Sequence, residues 1–355
     1  MKNIIKTLGV MLASISLLAV SAKAGELAVS GTAKATYNIY QGNAQGKGLG
    51  VTNELNFTAS GEMDNGYTWS YSMELDPTDA AASTANNDDT QINLTTPYGK
   101  FGIMIMEGGL DAEDAASQSA YGRPTDSGDP SNTTDNYSID SYNNVMYTSP
   151  ADMLPLGTVI KLAYAPDLDT TQNSGNAAGQ TLTEGTSDFV GRSMTATRID
   201  MTPVEGLTIG ASYNEMDKQG AAKMNQTAES GAYYGVYTMG NLSVGYSKAY
   251  RADMVADGGL TTSTTAENYI QSNTSAAFAF NDELTVSYEV EKSSKEFQMD
   301  STADVEQKST GIQLAYNLGG ATFALSRNSH DNVGYSTATD GRDIDQTLFA
   351  LTLAF

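Results

Sequence analysis

Read from residue 27 onward, the chain alternates. Leu27, Val29, Gly31, Ala33, Ala35, Tyr37 and Ile39 put apolar or small side chains on odd positions, and mostly polar residues fall between them. Tyr67, Trp69, Tyr71, Met73 and Leu75 repeat the pattern, as do Leu207, Ile209, Ala211 and Tyr213, and Leu284, Val286, Tyr288 and Val290. A period of two with aromatic and β-branched residues is the signature of strands with one apolar face. No helical stripe of comparable length is present. Short turns (Asp64-Asn65-Gly66, Pro97-Tyr98-Gly99, Val204-Glu205-Gly206, Asn281-Asp282-Glu283, Gly319-Gly320) alternate with long polar stretches near 41–50, 77–88, 110–141, 167–187, 217–230, 252–267, 298–304 and 331–341. Such connections place all long loops at one end of an up-and-down sheet, the asymmetry of a membrane-spanning barrel.

Strands are predicted to start near residues 26, 51, 67, 89, 100, 142, 158, 188, 207, 231, 242, 268, 284, 305, 321 and 342. About sixteen strands of membrane-spanning length result. An even number returns both ends to one side and lets the last strand close on the first. A barrel of that width encloses water, so its polar face can point inward and its apolar face toward lipid. The expected fold is all-β: a transmembrane antiparallel up-and-down β-barrel of about 16 strands, with short periplasmic turns and long outer loops. Tyr67, Trp69, Tyr71, Phe101, Tyr147, Tyr213, Tyr246, Phe280, Tyr288 and Tyr316 are expected at strand ends or on outward faces, as interfacial girdles require.

The first 24 residues read differently. Lys2 and Lys6 flank the start of the apolar run Leu8–Val20, and Ala22-Lys23-Ala24 presents small residues to a signal peptidase. This is the pattern of a secretory signal peptide cleaved after Ala24, leaving 25–355 as a single barrel domain. Of the 355 residues, 19 are basic and 42 acidic, giving a net charge of −23. That balance disfavours nucleic acid as a partner. The absence of cysteine removes disulfides, zinc ribbons and thiol nucleophiles, and one histidine removes polyhistidine metal sites. Nothing in the chain calls for a cofactor or a metal. His330-Asp331 has the composition of a base with its orienting acid, but a charge-paired surface histidine at a strand–loop junction explains it more simply. Asp167-Leu168-Asp169-Thr170-Thr171 lacks the glycine and closing glutamate of a calcium loop and reads as a solvated loop. Gly46-Lys47-Gly48-Leu49-Gly50 precedes a strand and not a helix, so it is no phosphate loop.

The chain stops at Phe349-Ala350-Leu351-Thr352-Leu353-Ala354-Phe355. This ending resembles the terminal strand of bacterial outer-membrane barrels, and the resemblance implies that Phe349, Leu351, Leu353 and Phe355 form a signal read by the barrel assembly machinery. The run Pro97-Tyr98-Gly99-Lys100-Phe101-Gly102-Ile103-Met104-Ile105-Met106-Glu107-Gly108-Gly109 resembles the turn and fifth strand of Gram-negative general diffusion porins. Gly108-Gly109-Leu110 departs from the arginine often found there in that family. The resemblance implies a homotrimer in outer-membrane lipid and lipopolysaccharide, open to small hydrophilic solutes. It also implies a loop, about 107–141, that bends inward and narrows the pore. Small outward residues on the first strand, Gly31, Ala33 and Ala35, suit protein contact.

On this reading Glu107, Asp111, Glu113, Asp114 and Arg123, with Lys34 on the first strand, form the constriction. Arg123 and Lys34 would face the acids across the lumen. Glu54, Glu62, Glu74, Glu289 and Glu291 are expected to line the pore, with the basic residues Lys161, Arg192, Arg198 and Arg251. Charges in a narrow aqueous pore act within a Debye length of about 8–10 Å, and acidic rings attract cations. The expectation is a cation-preferring passive channel without enzymatic activity. A substrate-specific channel, a barrel hydrolase using His330 and a surface adhesin are the competing readings.

Overall fold

A computed structural model describes residues 27–43, 45–77, 85–126, 136–166, 168, 193–217, 224–256, 264–336 and 342–355. The expected signal peptide, Arg192, residues 127–135 of the expected inward loop, and Asp167 with Asp169–Thr171 lie outside them.

The alternation becomes strands β1 (Leu27–Gly42), β2 (Gly46–Glu62), β3 (Thr68–Pro77), β4 (Ala85–Thr96), β5 (Gly99–Ile105), β6 (Asn144–Thr148), β7 (Val159–Ala165), β8 (Met194–Val204) and β9 (Leu207–Met216). After a short β10 (Met224–Gln226) come β11 (Glu229–Met239), β12 (Leu242–Ala252) and the two-residue β13 (Val255–Ala256). The series ends with β14 (Ala266–Ala279), β15 (Leu284–Phe297), β16 (Val305–Asn317), β17 (Ala321–Asp331) and β18 (Ile344–Ala354). Sixteen strands close one antiparallel barrel in chain order, with β18 paired to β1; β10 and β13 pair with each other outside it. The all-β barrel expected from the pattern is therefore the fold, with that small ribbon as an addition. Among the described residues no helix is long and apolar enough to cross a membrane.

One expected loop is wrong. The glycines and amides of 41–50 belong mostly to extended strand ends, with Tyr40 paired to Gly46 and Tyr37 to Leu49. Composition suggested a loop there, but an outer hairpin continues as long as ladder hydrogen bonds are available on both strands.

The two faces separate by chemistry. Phe101, Ile103, Val145, Leu162, Tyr213, Tyr246, Tyr288, Ile312, Phe323 and Phe349 point outward and are exposed. Between them Asn93, Ser212, Ser247, Ser287, Gln313 and Asn328 point inward and are buried. A buried polar residue needs a partner, so these side chains imply that something fills part of the barrel.

Closure is made at Gly31. Its N–H donates to the Phe355 carbonyl at 2.8 Å and the Phe355 N–H donates back at 3.0 Å. A Cβ at position 31 would sit 2.6 Å from the Glu54 carbonyl and 2.9 Å from the Phe355 ring, so glycine is needed for this close approach. Outward Leu353, Leu351 and Phe349 pair with Ala33, Ala35 and Tyr37 across the same seam.

Candidate functional site

The inward serines, amides and acids of the far wall hold the chain that follows β5. From Met106 to Asp126 this segment lies along the inside of the barrel. Ala112 N–H donates to Ser212 on β9 (3.1 Å), and Ser247 on β12 donates to the Glu113 carbonyl (2.8 Å). Ser275 on β14 donates to the Ala116 carbonyl (2.6 Å) and accepts from Gln118 N–H (3.0 Å). Ala120 N–H reaches Ser287 on β15, and Tyr121 N–H reaches Gln313 on β16. The Tyr121 ring then packs on buried Ala324, Leu348 and Ala350 of β17 and β18. A single 3-10 turn, Asp114–Ala116, bends the segment over β12. There the backbone approaches so closely that any Cβ at Gly245 would collide with the Ala116 carbonyl.

The returning part, 136–143, docks on the same wall. Tyr137 N–H donates to Ser230 on β11, and the Asn214 amide on β9 donates to the Tyr137 carbonyl. The Asn144 amide ties three carbonyls together, those of Glu107, Ile139 and Tyr142. Beneath, Leu110 and Ile139 join Met104, Met146, Met194 and Met216 in an apolar cluster. Small inward Ala163, Ala165 and Ala196 make room for it. Flexible methionines suit such an irregular gap.

Two of the acids expected to line open water are anchors instead. Glu289 is buried, accepting from the Ser117 hydroxyl (2.9 Å), the Ser119 hydroxyl and the Asn273 amide. Glu291 accepts from both the N–H and the hydroxyl of Thr125, each at 3.0 Å. A carboxylate on this wall can satisfy several donors of the segment at once, which a serine cannot, and so is drawn out of the lumen. Glu113 is likewise buried and accepts from Asn136 at 3.2 Å.

Arg123 does not face the acids across the lumen. It binds Asp114 on its own segment, donates from Nε to Asp126 at 2.7 Å, and lies 3.8 Å from Glu291. Burial works against its charge, but the Asp126 hydrogen bond and the charges of Asp114, Glu291 and Asp126 overcome that and raise its pKa further. Asp114 and Asp126 stay about half exposed beside it. The segment thus shows the lumen two carboxylates around one guanidinium.

Asp111 occupies a different setting. Its carbonyl accepts from Arg198 (2.6 Å) and its carboxylate from Asn214 (3.2 Å). Burial, aided by the charges of Asp140 and Asp114, pushes its pKa up to about 7, although hydrogen bonds from Ser138 and Asn214 oppose the rise. Glu107 accepts from its neighbour Gly108 N–H at 2.7 Å.

The described contacts of the segment run from β5 round to β18, leaving β1–β4 as the wall across from it. Lys34 and Glu54 stand there on inward positions, Glu54 accepting from Thr32 at 3.0 Å. Glu74 pairs with Asn56 and so shares their face, and Glu62 is inward by the same alternation. Lys161 and Arg198 are inward on β7 and β8 and share Asp200, at 3.9 Å and 2.9 Å. Arg251 donates to Asp253 (2.8 Å) and stacks 4.2 Å from the centre of the Tyr137 ring.

His330 is not on the surface. It points inward from β17, fully buried, with Nδ1 2.9 Å from the Ser309 hydroxyl. Placing it at a strand end hid the fact that even positions of β17 face the interior.

The sequence reading missed Asp126 and the anchoring serines. Arg123-x-x-Asp126 was a visible charge pair, and serines recurring at inward positions of successive strands (Ser212, Ser230, Ser247, Ser275, Ser287) signalled a docked chain. Among the described residues no group of acids and histidine is arranged to hold a metal.

A family model described as Gram-negative porin matches residues 10–326. No curated protein sequence matches the chain. Solved structures with the same fold include an anion-selective porin from Comamonas acidovorans, 12% identical with a TM-score of 0.65, covering 93% of this chain and all of that one. The Salmonella typhi OmpF complex with daunomycin is 14% identical at a TM-score of 0.65, covering 93% of this chain and 98% of that one. OmpT, an outer-membrane protein of Vibrio cholerae solved in a trimer form, is 12% identical at 0.62, covering 94% and 100%.

Proposed function

The chain belongs to the Gram-negative porin family, and from that premise we propose an outer-membrane channel for passive diffusion that prefers cations and performs no bond chemistry. The observation carrying this reading is the segment 106–126 held inside the barrel by side chains of β9–β16. It narrows the lumen to the space between itself and β1–β4, as the expected constriction loop would. Solutes pass by size and charge.

Cation preference rests on which charges remain in water. Asp114 and Asp126 are exposed at the narrowed level and Arg123 balances one of them. Ions passing within a Debye length, about 8 Å at physiological salt, experience that residual negative field. An anion-selective porin shares the fold, so the sign is a property of these side chains and not of the barrel. On the β1–β4 wall Lys34 stands among the inward acids Glu54, Glu62 and Glu74, which add to the negative field of the segment. His330 is sealed from any substrate, which leaves the hydrolase reading without a site.

A homotrimer fits a chain whose structural neighbour was solved as one, with the small outward residues Ala33 and Ala35 at the contact. Small hydrophilic solutes, lipopolysaccharide and the barrel assembly machinery complete its proposed partners, and export proceeds through the cleaved signal peptide.

The zero-current potential of purified protein in a potassium chloride gradient tests the charge argument. Wild type should show the cation sign, and Asp114→Asn with Asp126→Asn should shift the potential toward neutrality. An anion-selective wild type overturns the charge argument, and an unchanged potential in the double variant overturns the role of the segment.

A further inference from the structure

Among the described residues, one lumenal row of basic side chains is bonded to the inward segment through Arg198 alone. Lys100 is the second residue of β5 and pairs across the ladder with Thr148 of β6; Thr148 pairs with Lys161 of β7, and Lys161 with Arg198 of β8. All four share the inward face, because Met104, Met146 and Ala163 on the same strand faces enter the buried cluster under the segment. The row lies two to four residues from that cluster toward the short-turn end. It opens below the narrowed level.

Like charges directly opposed on adjacent strands are unfavourable, and here Lys161 opposes Arg198. Asp200 is their shared counter-charge. Its carboxylate already accepts both bonds of the Arg198 Nε, at 2.9 and 3.0 Å, and the Tyr234 hydroxyl at 2.7 Å, while Lys161 stays 3.9 Å away. Arg198 is further committed to the Asp111 carbonyl. Among the described residues no ion pair joins Lys100 and no hydrogen bond engages the Thr148 hydroxyl. Glu62 is inward on the same row but three strands from Lys100, about 14 Å at the usual strand spacing.

We propose that Lys100, Thr148 and Lys161 form an oxyanion-binding subsite on the lumenal wall, taking inorganic phosphate or the phosphate group of a small ester. The two lysines flank the threonine on its neighbouring strands, two strand spacings apart, about 10 Å between Cα atoms. The ammonium groups supply charge-assisted donors and the Thr148 hydroxyl a third donor to one tetrahedral anion. The role of the subsite in permeation rests on the channel reading. It collects phosphate-bearing solutes on the short-turn side of a constriction that favours cations, and phosphate bound there masks the lysine charge.

The test is calorimetric titration of the refolded full-length protein with inorganic phosphate, run beside zero-current potentials in bilayers. Wild type should bind, and phosphate added at the short-turn side should move the potential further in the cation direction. Lys100→Gln and Lys161→Gln should each weaken phosphate binding about tenfold, as loss of a charge-assisted bond implies. Lys248→Gln, an outward lysine of β12, should leave it unchanged. Absence of binding in wild type, or wild-type affinity in the Lys100→Gln/Lys161→Gln double variant, overturns the subsite. A conducting barrel with lysine-independent phosphate behaviour refutes the subsite alone, whereas lysine-dependent binding by a barrel that never conducts upholds the subsite and refutes the channel.

Discussion

Replacing Glu289 with alanine should make the constriction noisy without unfolding the barrel. The carboxylate takes the hydroxyls of Ser117 and Ser119 and the Asn273 amide. Hydrogen bonds to a charged group contribute about 1.5–3 kcal/mol each, so the two serine bonds hold the segment by roughly 3–6 kcal/mol. The neutral bonds beside them, to Ser275, Ser287 and Gln313, contribute about 0.5–1.5 kcal/mol apiece. Glu289 therefore supplies about half of the docking free energy of residues 116–121, and its loss lowers the docking equilibrium by roughly two to four orders of magnitude. Thr125 remains fastened to Glu291 on one side and Ala112 to Ser212 on the other, so the stretch should flicker in place. Single-channel recordings of Glu289→Ala should show increased open-channel noise and a larger neutral-solute cut-off. Glu289→Gln, which keeps an acceptor oxygen, should lie between the two. A folded Glu289→Ala barrel with wild-type noise and cut-off would refute the anchoring role.

Asp111 should confer pH dependence. Its pKa is raised to about 7 in the docked segment from an ordinary 3.8, so the docked state favours the protonated form; the cost of docking appears as pH climbs above 3.8 and is complete above about 7. Noise should be higher at pH 8 than at pH 6, and Asp111→Asn should flatten the difference; a pH-independent wild type would contradict this. Deletion of Phe355, or Gly31→Val at the closing seam, should lower the yield of heat-modifiable folded barrel, and normal yields would remove both from assembly. Lys34→Cys should react with a water-soluble thiol reagent in the intact protein while Tyr37→Cys should not, and the reverse would mean a slipped register.

The barrel was legible because a period of two is a strong local signal and one face meets lipid. Leu351 and Leu353 announce their orientation in the sequence itself. What a side chain in the lumen does was less legible. Glu54 and Glu289 share an inward position on amphipathic strands, yet the first shares a wall with Lys34 and the second is buried against a serine more than 160 residues away in sequence. Only closure of the barrel decides which wall meets the folded segment. Arg123 looked like one side of a transverse field for the same reason: the sequence shows its charge but not that Asp114 turns back toward it through a single 3-10 turn. His330 was misplaced by one face, which is all that separates a surface histidine from a buried one in a strand.

The central claim is a water-filled pore narrowed by an inward segment, and the most direct measurement is planar-bilayer conductance of the purified, refolded protein with neutral solutes of graded size. Conductance should scale with the bulk conductivity of the salt, and small polyols should enter and depress it while solutes above a sharp cut-off leave it unchanged. A folded protein that does not conduct, or whose conductance is blocked saturably by one solute regardless of size, would contradict the account.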